Sequence, residues 1–444
     1  MTKEELLTKK ISAISLGCDK NRVDLQHVLF SLKDFGFEIV SDIDDAQIIL
    51  VNTCAFIQPA KEEAIENILL AISKKQKNCE KVIVMGCLPQ RNLEDLQQSL
   101  PEVDYFVTLK DNDKMVSIIE KCYGLTPSKL TNKIGRVCTQ LSGYAHLKIA
   151  DGCNNGCSFC SIPRIRGRYK SVEMKELVKE AKDLCENGIS EIILVAQDVT
   201  RYGVDIYGKP MLIELLKELS KIKKLKWIRL HYCYPELIDD ELLDFIARSE
   251  KVCPYLDIPL QHIDNNILKS MNRRLDEDGT RKLIEKIKTK YPQITIRSTF
   301  IVGYPNETKK QFKKLCEFLY ASLLDNVGFF KYYKEENTAS YFMKKHKFEW
   351  VKSKRLKNVQ KIQSSIADEL NKKKIGQVVE VMIDSFDEIN NCFVGHDKNN
   401  SPEIDFMTLV QTDKQLCFGQ IVKVKIINYI NKYFIGEIQH ELTK

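Results

Sequence analysis

The chain has 444 residues, of which 43% are apolar and 29% charged, and its net charge is +7. That balance excludes wholesale disorder and leaves room for two or three domains. No apolar run reaches the roughly 18 residues that span a bilayer, and Met1 to Lys10 is charged where a secretory signal would be apolar. A cytoplasmic protein with no membrane partner is expected.

The first third alternates short apolar strands, at 11–17, 47–52, 81–86 and 105–108, with amphipathic helices at 24–35, 59–75 and 92–99. This alternation predicts a doubly wound parallel sheet. A cysteine follows directly after each of the first three strands: Cys18, Cys54 and Cys87. Strand C-termini of a parallel sheet share one rim, where open α/β sheets place their sites. The three are therefore expected to converge.

The middle third repeats the alternation on a larger scale. Strands at 146–150, 191–196, 226–231, 255–259, 295–301 and 327–332 predict a partial or complete (β/α)6 barrel. Such barrels carry chemistry at their strand C-termini. Polar residues fall there: Gln197 and Asp198, Arg229 and His231, Gln261 and His262, Arg297 and Ser298. The run 352–374 reads as a basic connecting helix. From residue 376 short strands at 378–383, 392–395, 421–427 and 433–438 predict a small antiparallel β-barrel. Expected domains are 1–137, 138–350, the connector 351–375, and 376–444.

Fifteen cysteines is a high, odd and scattered count, which points to metal ligands or catalytic thiols rather than disulfides. The loop after the first barrel strand reads Cys153-Asn-Asn-Gly-Cys157-Ser-Phe-Cys160. Its spacing wraps three thiolates around one soft metal centre. Structural zinc wants a fourth ligand, and no other cysteine or histidine lies near in sequence. Three ligands on an iron–sulfur cube leave one iron open to a substrate or cofactor.

This motif after the first strand of a six-unit barrel resembles the radical S-adenosylmethionine enzymes. The resemblance implies a 4Fe–4S cluster on Cys153, Cys157 and Cys160 that binds S-adenosyl-L-methionine and cleaves it reductively to a 5′-deoxyadenosyl radical. With three N-terminal cysteines and a small terminal β-barrel, nearly the whole chain is similar to the methylthiotransferases. By that resemblance Cys18, Cys54 and Cys87 hold a second 4Fe–4S cluster connected with sulfur supply. The C-terminal segment resembles a TRAM domain that recognises substrate. Gln197, Asp198, Arg229, His231 and Arg297 become candidates for lining the cofactor pocket.

Two branches of the family differ in substrate, an aspartate β-carbon of ribosomal protein S12 or an adenosine of tRNA. The segments Ser15-Leu-Gly-Cys-Asp-Lys-Asn-Arg-Val-Asp24, Val51-Asn-Thr-Cys-Ala-Phe-Ile57 and Ala196-Gln-Asp-Val-Thr-Arg-Tyr-Gly203 resemble the S12 branch. Ala55, where a glycine is usual, departs from its pattern. Charge adds a separate argument. Residues 376–444 hold six lysines, no arginine and ten acidic residues. An RNA-binding barrel should be basic, whereas an acidic one suits a basic ribosomal protein. The expected partners are S12 and an electron donor such as flavodoxin or ferredoxin, with tRNA as the rival substrate.

Overall fold

The computed structural model describes residues 1–128, 135–139 and 142–439. The chain forms two compact units. The first is Met1–Thr139 with Gly152–Asn154 and Ser161–Arg168; the second is Gln140–Asp151, Asn155–Cys160 and Tyr169–Lys444.

In the first unit β1 (Lys10–Ser15), β2 (Glu38–Ile39), β3 (Ile48–Thr53), β4 (Lys81–Gly86) and β5 (Tyr105–Val107) form a parallel sheet in the order β2-β1-β3-β4-β5. The central β3 is buried along its whole length, as a strand covered on both faces must be. Its side chains alternate between two cores. Ile48 and Leu50 pack with Leu25, Leu29 and Leu32 of the helix Asp19–Phe35. Ile49 and Val51 pack with Ala64, Ile68 and Ala71 of the helix Gln58–Ser73.

In the second unit β6 (Tyr144–Lys148) is followed by the short antiparallel pair β7 (Ala150–Asp151) and β8 (Lys170–Ser171). Then come β9 (Glu191–Val195), β10 (Trp227–Leu230), β11 (Val252–Gln261), β12 (Thr295–Val302) and β13 (Asn326–Lys331). Six strands pair in parallel in the order β13-β12-β11-β10-β9-β6, a partial (β/α)6 barrel. The helix Glu349–Lys372 buries Val359, Ile362 and Ile366 against the core of this sheet. Among the described residues no helix is long and apolar enough to cross a membrane.

A closed five-stranded barrel completes this unit: β14 (Val378–Asp387), β15 (Cys392–Asp397), β16 (Met407–Gln411), β17 (Ile421–Ile430) and β18 (Tyr433–Ile438). All its pairings are antiparallel except β16 with β18. The sequence pattern missed β16. Its inward positions are Thr408 and Val410, so a threonine breaks the apolar alternation.

The small barrel meets the parallel sheet at the strand starts. Tyr144 donates to Glu403 (2.7 Å), Tyr255 to Asp405 (2.6 Å), and His396 bonds Glu191 (2.6 Å). Tyr144 and Glu191 are the first residues of their strands, so the barrel covers the N-terminal mouth of the sheet.

Candidate functional site

In the first unit the three N-terminal cysteines leave neighbouring strands at one rim. Cys18 follows β1 and precedes the helix Asp19–Phe35, Cys54 follows β3, and Cys87 follows β4 directly. Two glycines permit the approach. A Cβ on Gly17 (φ +87°) would stand 2.7 Å from the Cys54 Cβ, and one on Gly86 (φ +99°) 2.6 Å from the Thr53 carbonyl oxygen.

A buried polar frame holds this rim. Asn21 donates to the carbonyls of Leu16 (3.0 Å) and Thr53 (2.9 Å), and Asn52 donates to the Asn21 carbonyl (2.8 Å). Arg166 donates to Asn21 Oδ1 (2.9 Å), pairs with Asp24 (3.0 Å) and lies 3.7 Å from the Cys87 sulfur. Sequence reading missed Arg166, because it lies 79 residues beyond Cys87.

Burial pushes the Cys87 thiol up to about 12, and Arg166 draws it back only in part. Burial also raises Cys54, and the neighbouring Cys18 adds to the rise. No disulfide joins the cysteines among the described residues. Among the described residues no three of these sulfurs come within 4.8 Å of one another, as a single tetrahedral ion would require. Three soft donors on one rim, set wider than a single ion needs and beside a guanidinium, fit an iron–sulfur cluster. Its binding would release the thiol protons.

The loop 152–161 leaves the C-terminal side of β6 and β7. The Cys153 amide donates to the Gly167 carbonyl (3.1 Å) within the first unit. In the second unit the loop is fastened at successive residues. Asn155 donates to Asp198 (3.0 Å), and Asn272 donates to the Gly156 carbonyl (2.8 Å). Ser158 bonds the Met271 and Ser270 carbonyls and the Tyr304 hydroxyl, at 3.1, 2.8 and 2.7 Å. The Cys157 sulfur lies 3.1 Å from the Tyr234 hydroxyl and 3.6 Å from Arg273 Nη1. The buried Arg273 guanidinium stacks 4.3 Å over the Tyr234 ring. Neither Tyr234 nor Arg273 was flagged by sequence; the cationic pair Arg273-Arg274 after the short helix Asn265–Ser270 was the one available signal.

The rim candidates separate into two groups. Asp198 is wholly buried, accepts from Asn155 and Thr200 (2.5 Å), and so ties β9 to the cysteine loop. Beside it the Gln197 amide is buried with no partner for Nε2 or Oε1 among the described residues. Orphaned polar atoms of this kind are open to a ligand or a water. This fits S-adenosylmethionine, which is rich in polar groups.

Arg229, His231 and Arg297 are a correction to the expected pocket. Arg229 donates to Glu191 (2.7 Å) and to the carbonyls of Lys398 (2.9 Å) and Asp397 (3.1 Å). His231 bonds Ser401 (2.8 Å), and Arg297 bonds Asp405 (3.2 Å) and Asp257 (3.3 Å). All three anchor the small barrel. His262 is likewise engaged, with the buried Glu307 at 3.4 Å.

Residues 10–108 match an uncharacterised protein family, UPF0004; residues 147–319 match the Radical SAM superfamily; residues 375–438 match a TRAM domain. Among solved structures the chain resembles the radical S-adenosylmethionine methyltransferase TsrM from Kitasatospora setae. The TM-score is 0.53 at 16% identity, over 73% of this chain and 75% of that one, a likeness of fold. The ribosomal protein uS12 methylthiotransferase RimO of Clostridium botulinum (strain Loch Maree / Type A3) is 41% identical over 98% of this chain and 99% of its own length. RimO of Acetivibrio thermocellus is 40% identical over 99% and 100%. With such identity along the whole chain, this protein belongs to the RimO family of ribosomal protein uS12 methylthiotransferases.

Proposed function

We propose that this chain adds a methylthio group to the β-carbon of an aspartate in ribosomal protein S12, as a transferase with two 4Fe–4S clusters and S-adenosyl-L-methionine. A radical S-adenosylmethionine domain implies one cluster and that cofactor. The observation that carries the finer reading is the convergence of Cys18, Cys54 and Cys87 at a second rim, because the radical chemistry alone needs only one cluster.

Cys153, Cys157 and Cys160 would hold the radical cluster, which when bound supplies the electron for cofactor cleavage. Tyr234 and Arg273 orient and polarise Cys157, and Asp198 fixes the loop through Asn155. The unpartnered Gln197 amide would take a polar group of the cofactor. Cys18, Cys54 and Cys87 would hold the second cluster, with Arg166 offsetting its negative charge. The acidic C-terminal barrel suits a basic protein partner. This reading places the protein in the cytoplasm, with an external one-electron donor of the flavodoxin or ferredoxin class.

Alanine at Cys153, Cys157 or Cys160 should abolish formation of 5′-deoxyadenosine. Alanine at Cys18, Cys54 or Cys87 should leave it while stopping sulfur insertion. Full methylthiolation by the second set of variants would overturn the two-cluster reading.

A further inference from the structure

Beside the Cys157–Cys160 loop runs the segment Tyr341-Phe-Met-Lys-Lys-His-Lys-Phe-Glu-Trp350. Its inner side is bound to the loop. The Ser340 amide donates to the Ser158 carbonyl (2.8 Å). Met343 sulfur accepts from Tyr304 (3.4 Å) and Ser270 (3.7 Å), two residues that also bond Ser158. His346 stacks on Tyr332, with ring centres 5.8 Å apart.

The outer side is different in kind. Phe342, Phe348 and Trp350 are 73, 74 and 67% exposed. Residues 331–352 hold six lysines against three glutamates. Of those glutamates, Glu335 is buried and Glu349 is paired with both Lys331 and Lys352. Lys334, Lys344, Lys345 and Lys347 have no carboxylate partner among the described residues; Lys334 lies 4.3 Å over the Tyr341 ring. A strip of unpaired cations with exposed rings is a docking surface for an anionic partner.

We propose that this strip docks an acidic one-electron carrier protein of the flavodoxin or ferredoxin class. The proposal rests on the cluster assigned above to Cys153, Cys157 and Cys160. The basic protein substrate of that reading is repelled by such a surface. RNA would share the charge, but location favours the electron carrier. The strip is one hydrogen bond from Ser158, the residue after Cys157, so a carrier seated here delivers its electron over a short path. In the step the carrier is oxidised by one electron and the cluster is reduced by one; no bond forms or breaks. Electron-transfer contacts are small, transient and charge-steered, as a strip of this size requires.

The test uses the holoenzyme and a variant carrying K334E, K344E, K345E and K347E, with iron content and absorbance confirming equal loading. Formation of 5′-deoxyadenosine is followed with dithionite and, separately, with reduced flavodoxin; calorimetry measures binding of oxidised flavodoxin. The expected result is an unchanged dithionite rate with a flavodoxin-driven rate lowered by about tenfold or more. Weaker flavodoxin binding and loss of the native salt dependence accompany it. A W350A variant, which keeps every charge, should also weaken binding. Equal flavodoxin-driven rates in native and variant enzyme would overturn the proposal. So would loss of binding to small-subunit ribosomal RNA with flavodoxin binding intact. A native holoenzyme that forms no 5′-deoxyadenosine even with dithionite would overturn the cluster reading itself.

Discussion

At the scale of single residues, the cysteines were legible because their chemistry and their place coincide. Each N-terminal cysteine follows a strand, and parallel strands share a rim, so convergence follows from topology alone. The frame around them was not legible. Asn21 sits inside an amphipathic helix, and Arg166 reaches it from 145 residues away. Asn21→Ala removes two buried donors to main-chain carbonyls and strands the Arg166 contact. It should cost roughly 1–3 kcal/mol, seen as a lower melting temperature and weaker retention of iron at the first unit. Gln197→Ala makes the complementary case. Its amide bonds nothing among the described residues, so the variant should fold as stably as the native chain while binding S-adenosylmethionine more weakly by calorimetry.

At the scale of elements, the strands of the parallel sheet were readable but not the direction in which their polar side chains act. Arg229 and Arg297 lie in strands whose far ends carry the site. Their partners sit in a barrel more than a hundred residues further along, and no local pattern reports that pairing. At the same joint His396 donates to Asp384 (2.7 Å) as well as Glu191. Burial disfavours its charged form, but the two carboxylates outweigh burial and raise its pKa to about 9, above the ordinary 6.5. Its contribution is therefore complete below pH 6.5 and is lost as pH rises through about 9. The Trp227 ring meets His396 edge-on at 5.6 Å. In a Trp350→Phe background, Trp227 emission should hold steady to neutral pH and shift to the red between pH 8 and 10 as the barrel loosens. Replacing His396 by alanine leaves the buried Asp384 without its cation and Glu191 with Arg229 alone, and should cost about 3–5 kcal/mol at neutral pH, read as a lower melting temperature.

At the scale of the whole molecule, the parallel sheet, the partial barrel and the terminal closed barrel follow from changes in strand and helix spacing along the chain. Charge adds what spacing does not. The C-terminal segment is acidic, and the strip around Lys344 is basic. The central claim is that this chain methylthiolates ribosomal protein S12. The most direct measurement is the intact mass of S12, with fragment mapping, after anaerobic incubation with the reconstituted enzyme, S-adenosylmethionine, a sulfide source and a reductant. The account predicts the gain of one methylthio group on a single aspartate, absent when Cys157 is alanine. Unmodified S12 from the same incubation, with a methylthio group appearing instead on an adenosine of added tRNA, would contradict it.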